Sequence, residues 1–182
     1  MEHRPRLQPL LLLRDMEARG RLRARDLPHK LDVKRAWTGI GFRLGEMDLV
    51  APLSEVHEMM PYPVLTVVPG AKPWVKGIAN VRGNLLPVVS LAGYLADQGG
   101  AQIARRTRVL VVRDGDIYVG LVVDSVYGLQ HFCEEERCAE ESRVEASIQP
   151  YLQGAFLQAG RYWRVFSLHR LTHSPQFLQV AV

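Results

Sequence analysis

The side chains with chemistry to offer are few and scattered. His169 and His173 stand four positions apart on a predicted helix, the spacing that turns two imidazoles toward one metal ion. No Glu or Cys shares that turn to complete a ligand set, so the pair alone assigns no metal site. His131, Cys133 and Cys138 lack the Cys-x-x-Cys spacing of a redox pair or zinc clip, and both thiols read as buried or incidental. Glu134, Glu135, Glu136, Glu140, Glu141 and Glu145 make an acidic stretch with no apolar neighbourhood to hold one carboxyl protonated at neutral pH. It reads as a solvated loop or short helix. The serine-hydrolase elbow, the zincin helix motif, a phosphate-cradling glycine loop and a dinucleotide fingerprint are all missing from the sequence. No catalytic, cofactor-binding or metal-binding residue is therefore assigned, and no cofactor is expected.

Arg82 is the polar residue at the most informative position. Val75 to Leu91 reads as a strand, a turn at Arg82-Gly83-Asn84 and a return strand in which Pro87 removes one ladder hydrogen bond. Gly83 supplies a left-handed turn position. Arg82 then stands on the rim, either as a solvated turn charge or as a guanidinium presented to a partner.

The elements that must position this turn are strands. Ile40, Phe42 and Leu44 alternate with Gly41 and Arg43, Gly45-Glu46 offers a tight turn, and Met47 to Pro52 returns as a second strand. Further short β segments follow at Val64 to Val68, Trp74 to Val81, Leu85 to Leu91, Arg108 to Arg113, Ile117 to Val123, Tyr127 to Phe132 and Arg161 to Phe166. Asp114-Gly115-Asp116 marks a second hairpin, with Asp-Gly supplying the positive φ angles. Helical pieces are expected only near Leu91 to Ala96 and Leu168 to Leu178. Strands at roughly ten-residue spacing without intervening long helices predict an all-β protein, and the length suits two small barrels.

Composition narrows the function classes. The chain of 182 residues has 47% hydrophobic and 23% charged residues, enough to bury about 70% of its extended surface in a real core. Residues 1–35 carry ten Lys/Arg against five Asp/Glu, which leaves thirteen against fourteen for residues 36–182. The net charge of +4 thus belongs to the N-terminal extension, and the neutral body argues against a polyanion-binding domain. Residues 1–35 read as a helical extension and linker, with Leu10, Leu13 and Met16 at helical spacing. That helix either packs on its own domain or meets a membrane surface or partner. Two cysteines and no signal-peptide core predict the cytosol.

The segment Lys76-Gly77-Ile78-Ala79-Asn80-Val81-Arg82-Gly83, followed by Pro87-Val88 and Leu91, resembles the signature of the CheW-like adaptor domains of bacterial chemotaxis. Glu55-Val56-His57-Glu58 and Tyr118 to Val126 resemble two flanking motifs of that family, and the likeness runs from about Trp37 to Leu171. Ser90 departs from the pattern, standing where the family commonly carries Asp before Leu91, which puts in question any salt bridge or cap made from that position. The resemblance implies two pseudo-symmetric five-stranded barrels of SH3/OB type around a joint core in residues 36–182. It also implies a non-enzymatic scaffold that bridges the signalling tips of methyl-accepting chemoreceptors and the regulatory domain of a CheA-type histidine kinase, in the cytoplasm at a membrane-associated array. Carried over by position, it nominates Val56, Glu58, Asn80, Val81, Arg82 and Gly83 for receptor or kinase contacts. The Trp37-Thr38-Gly39 start, Trp74-Val75 and Gln130-His131-Phe132 resemble the branch that serves type IV pilus twitching motility. Neither nucleic acid nor membrane insertion is expected. Two alternatives are a nucleic-acid-binding β-barrel, since small barrels and a basic extension suit single strands, and a barrel enzyme using the glutamates or His169 with His173.

Overall fold

The computed structural model describes residues 37–96, 103–138 and 145–179. The predicted N-terminal helix, Glu140 and Glu141 lie outside the described residues. The elements are β1 Trp37–Leu44, β2 Met47–Pro52, β3 Glu58–Pro61, β4 Val75–Val81, β5 Asn84–Ser90, α1 Leu91–Ala96, β6 Arg108–Asp114, β7 Ile117–Val123, β8 Ser125–Phe132, β9 Arg137–Cys138, β10 Leu152–Gln158, β11 Arg161–Phe166, α2 Leu168–Thr172 and α3 Pro175–Leu178. They make two sheets: a first of six strands, β8-β1-β2-β11-β10-β9, and a second of five, β3-β6-β7-β5-β4.

The all-β class and the paired sheets match the reading of the sequence, with adjustments that have local causes. The first sheet has six strands rather than five because the two-residue β9 adds to β10 at Cys138↔Ala155 and Arg137↔Phe156. The predicted strand Val64–Val68 shrinks to one bridge, Thr66↔Ile78, because Pro61, Pro63 and Pro69 leave little uninterrupted N–H edge to pair. That bridge still matters: it carries the chain leaving β3 across to β4, joining the two edges of the second sheet into a ring, with both ladder bonds at 2.8–2.9 Å. Of the predicted Asp114-Gly115-Asp116 turn, Gly115 and Asp116 form the loop and Asp114 stays in β6 opposite Ile117. β10 was not anticipated from the sequence because it holds no β-branched residue and bends at a register shift between Leu152 and Ala155. The predicted helix Leu168–Leu178 breaks into α2 and α3, since Ser174 precedes Pro175 and is held extended, at φ −68° and ψ 128°.

Continuous apolar strands show why two sheets share one body. In β6, Val109 and Val111 point into a core enclosed by the second sheet with Leu86 and Val88, while Leu110 and Val112 point the other way. That other face meets Phe42, Leu44 and Leu49 of the first sheet and Leu168, Leu171 and Phe177 of the C-terminal helices in a joint core. A strand buried on both faces cannot alternate apolar with polar, which explains the unbroken Val-Leu-Val-Val run. A third cluster lies within the first sheet, where Phe132 stacks on Phe156 at 4.6 Å and packs with Trp163, Val50 and Val165. Each fully buried Leu or Phe in these layers contributes about 1.5–3 kcal/mol.

Candidate docking rim

The β4–β5 hairpin places the predicted surface. Val81 pairs with Asn84, so Arg82 and Gly83 alone form the loop, and both take left-handed backbone at φ 51° and 85°. Two positive φ values give the turn whose twist matches the flanking strands, and Gly83 meets that demand without strain. Asn80 Oδ1 accepts the Gly83 N–H at 3.0 Å and fixes the loop from the strand side.

Arg82 is exposed but paired. Its Nη2 donates to Glu58 Oε1 at 2.8 Å and its Nη1 donates to Glu58 Oε2 at 3.2 Å, a two-pronged match of guanidinium to carboxylate. The arginine side chain remains 77% exposed and the glutamate 26% exposed, so the pair presents polar surface instead of filling a core. Glu58 starts β3 opposite Val111 of β6. The pair therefore ties the hairpin tip to the far edge of the same sheet.

The six nominated residues thus divide. Glu58, Asn80, Arg82 and Gly83 come together on one rim. Val81 is 8% exposed, packed in the second sheet's own core, and supports the turn from beneath. Val56 is half-buried against the joint core. Glu55, in the same motif as Glu58, turns inward: its Oε2 accepts the backbone N–H of Leu168 at 2.6 Å and of His169 at 3.1 Å, and it receives the Ser167 hydroxyl. Glu55 thereby caps α2. Ser90 also turns out to be a cap, accepting the Gly93 N–H at 3.0 Å inside α1, so the hydroxyl supplies the function questioned above.

Gly77 explains the glycine of the motif in steric terms. It sits at φ 139°, and a Cβ there would meet the Thr66 carbonyl oxygen at 2.4 Å, the group whose bridge closes the second sheet. Along the same hairpin runs an apolar groove of about 360 Å³, floored by Val75, Ile78, Pro87 and Val119 and walled by Phe177 and Leu178 of α3. The α3 contribution was not legible in the sequence, because nothing in Gln176-Phe177-Leu178 says which sheet it will cover.

In the first sheet, Asp48 takes hydrogen bonds from Arg161 Nε and the Tyr127 hydroxyl, both at 2.7 Å, and the Arg161 guanidinium lies 4.2 Å from the Tyr127 ring centre and 4.5 Å from that of Trp163. The Arg161 hydrogen bond holds the Asp48 carboxyl below its ordinary value, against partial burial, which pushes it up. Beneath α3, burial pushes the Tyr94 hydroxyl up to about 12, and it bonds the Tyr151 hydroxyl at 2.8 Å.

The structure thus offers two sheets sharing a core, an exposed Arg82–Glu58 pair at the hairpin tip and a separate apolar groove at the hairpin's body. The chain belongs to the CheW-like domain family, whose sequence model matches residues 38–176. It is similar to Protein PilI of Pseudomonas aeruginosa, with 42% identity over 96% of this chain and 97% of that protein. It is also 28% identical to the chemotaxis protein CheW of Thermotoga maritima, over 58% of this chain and 68% of that one. The crystal structure of the scaffolding protein TtCheW from Thermoanaerobacter tengcongensis shares the fold, with a TM-score of 0.66 at 21% identity, covering 77% of this chain and 94% of that one.

Proposed function

We propose that this CheW-like adaptor couples the signalling tips of methyl-accepting chemoreceptors to the regulatory domain of a CheA-type histidine kinase, in a system that controls type IV pilus twitching motility. The reading has the protein work without catalysis, in the cytoplasm, at a membrane-associated receptor array. The observation that carries it is the β4–β5 hairpin: its tip holds an exposed, pre-positioned Arg82–Glu58 pair, and its body lines an apolar groove. A receptor tip is a helical hairpin, so apolar helix side chains suit the groove while the rim sets register through charge. Kinase docking of the kind this family resemblance implies would bury about 800 Å² per partner. Weak single contacts then add up through avidity in an array.

A titration of the full chain with a receptor-tip fragment, run beside a melting curve, tests the rim. Arg82→Ala should weaken binding by about 1–3 kcal/mol in a domain that still melts cooperatively. Unchanged affinity in the folded variant would remove Arg82 from the interface.

A further inference from the structure

Asp114 supplies the ligand that the histidine spacing lacked. It ends β6, in the second sheet, while His169 lies in α2 and His173 caps that helix after the first sheet. His169 Nδ1 bonds Asp114 Oδ2, and His173 Nδ1 stands 3.7 Å from the same oxygen. The two imidazole centres are 4.2 Å apart, and one ligand atom from each of the three side chains lies within 4.8 Å of the other two. Ligands about 2.0–2.1 Å from one tetrahedral zinc ion stand roughly 3.3 Å from each other. The His173–Asp114 separation is already near that scale; for both Nδ1 atoms to ligate, the His169–Asp114 bond opens and His173 Nδ1 gives up its proton and its bond to the His169 carbonyl.

The surrounding bonds hold the ligands in place. The His169 backbone N–H is fixed by Glu55 at 3.1 Å, and in the metal-free protein His173 Nδ1 lies 3.0 Å from the His169 carbonyl oxygen, a bond that sets one ring beside the other and is exchanged for the ion. The histidine side chains are 58% and 49% exposed and Asp114 is 35% exposed, so an ion reaches them directly from solvent. Two imidazoles with one carboxylate suit a zinc-class ion; calcium and magnesium prefer all-oxygen shells.

We propose that Asp114, His169 and His173 bind one zinc-class divalent ion, with the fourth position left to water, and that the ion clamps α2 to the β6–β7 turn. The site joins the C-terminal helix to the second sheet and is independent of the docking reading.

Untagged full-length protein carrying Cys133→Ser and Cys138→Ser, which removes the thiols as competing ligands, is titrated with Zn²⁺ by calorimetry and with Co²⁺ by visible absorption. One ion should bind per chain, excess Mg²⁺ should not displace it, and the melting temperature should rise on saturation. Asp114→Asn, His169→Ala and His173→Ala should each weaken binding by at least roughly tenfold. Their circular dichroism and metal-free melting curves verify that they fold. Absence of saturable binding, or binding that all three folded variants retain, would overturn the site.

Discussion

Arg82 and Glu58 grip each other through two hydrogen bonds between the β4–β5 turn and the first residue of β3, although twenty-four positions separate them in the chain. The pair fixes the one non-glycine residue of that turn at φ 51°, a conformation that costs a side-chain-bearing residue roughly 1–2 kcal/mol. An exposed ion pair returns only about 0.2–1 kcal/mol, so stability alone does not account for an arginine here.

That imbalance separates two substitutions. Arg82→Gly relieves the backbone and loses the pair, so its stability should stay within about 1 kcal/mol of the parent, while receptor-tip affinity falls as far as in Arg82→Ala. Denaturant unfolding and a binding titration on the same samples check this. A glycine variant that binds like the parent would mean the turn shape, and not the guanidinium, is what a partner reads.

Glu55 caps α2, whereas Glu58, in the same motif, pairs with Arg82 at the surface. Removing it by Glu55→Ala leaves the Leu168 and His169 N–H groups without their acceptor and should cost about 1–2 kcal/mol of stability. Glu58→Ala, one turn of sequence away, should cost less than about 1 kcal/mol. Urea midpoints measured side by side decide the order, and equal losses would contradict the division of roles within Glu55-Val56-His57-Glu58.

Gly77→Ala drives a methyl into the Thr66 carbonyl oxygen at a φ that side chains avoid. The expected loss is more than about 2 kcal/mol, through opening of the bridge that closes the second sheet. Hydrogen exchange should show the Thr66 and Ile78 amides losing protection first. A variant as stable as the parent would show that the ring tolerates the shift.

Acid should weaken the first sheet through Asp48. Its native value lies below the ordinary 3.8, so the carboxylate's contribution is complete above that value and is lost as pH falls through the depressed native one. Asp48→Asn should cost about 1 kcal/mol at neutral pH and should show a shallower stability loss between about pH 5 and 2 than the parent. Parallel losses in both proteins would exclude this carboxylate as a source of the acid dependence.

Much of this architecture was legible in the residues, for identifiable reasons. Two-residue hairpin loops and alternating or continuous apolar runs mark β1, β2, β4, β5, β6 and β7 directly, since their signals are local. β9 and β10 escaped because two residues carry no period and because Leu152 to Gln158 has a bend in place of β-branched residues. In the rim, Arg82-Gly83 announced a turn, but the grip of Glu58 depends on β3 lying across the sheet, a long-range fact. Asp114 lay hidden for the same reason: the helix spacing of His169 and His173 was visible, while the third member of the cluster ends a strand 55 positions earlier in the chain. The motif mixes exposed and structural residues, and only burial separates Arg82 from Val81.

The most direct test of the adaptor reading is kinase autophosphorylation in a reconstituted mixture of CheA-type kinase and receptor signalling tips, with and without the purified chain. Receptor-dependent control of the kinase should appear only when the chain is present, and Arg82→Ala should reduce it. Kinase control that is the same with and without the chain would contradict the account.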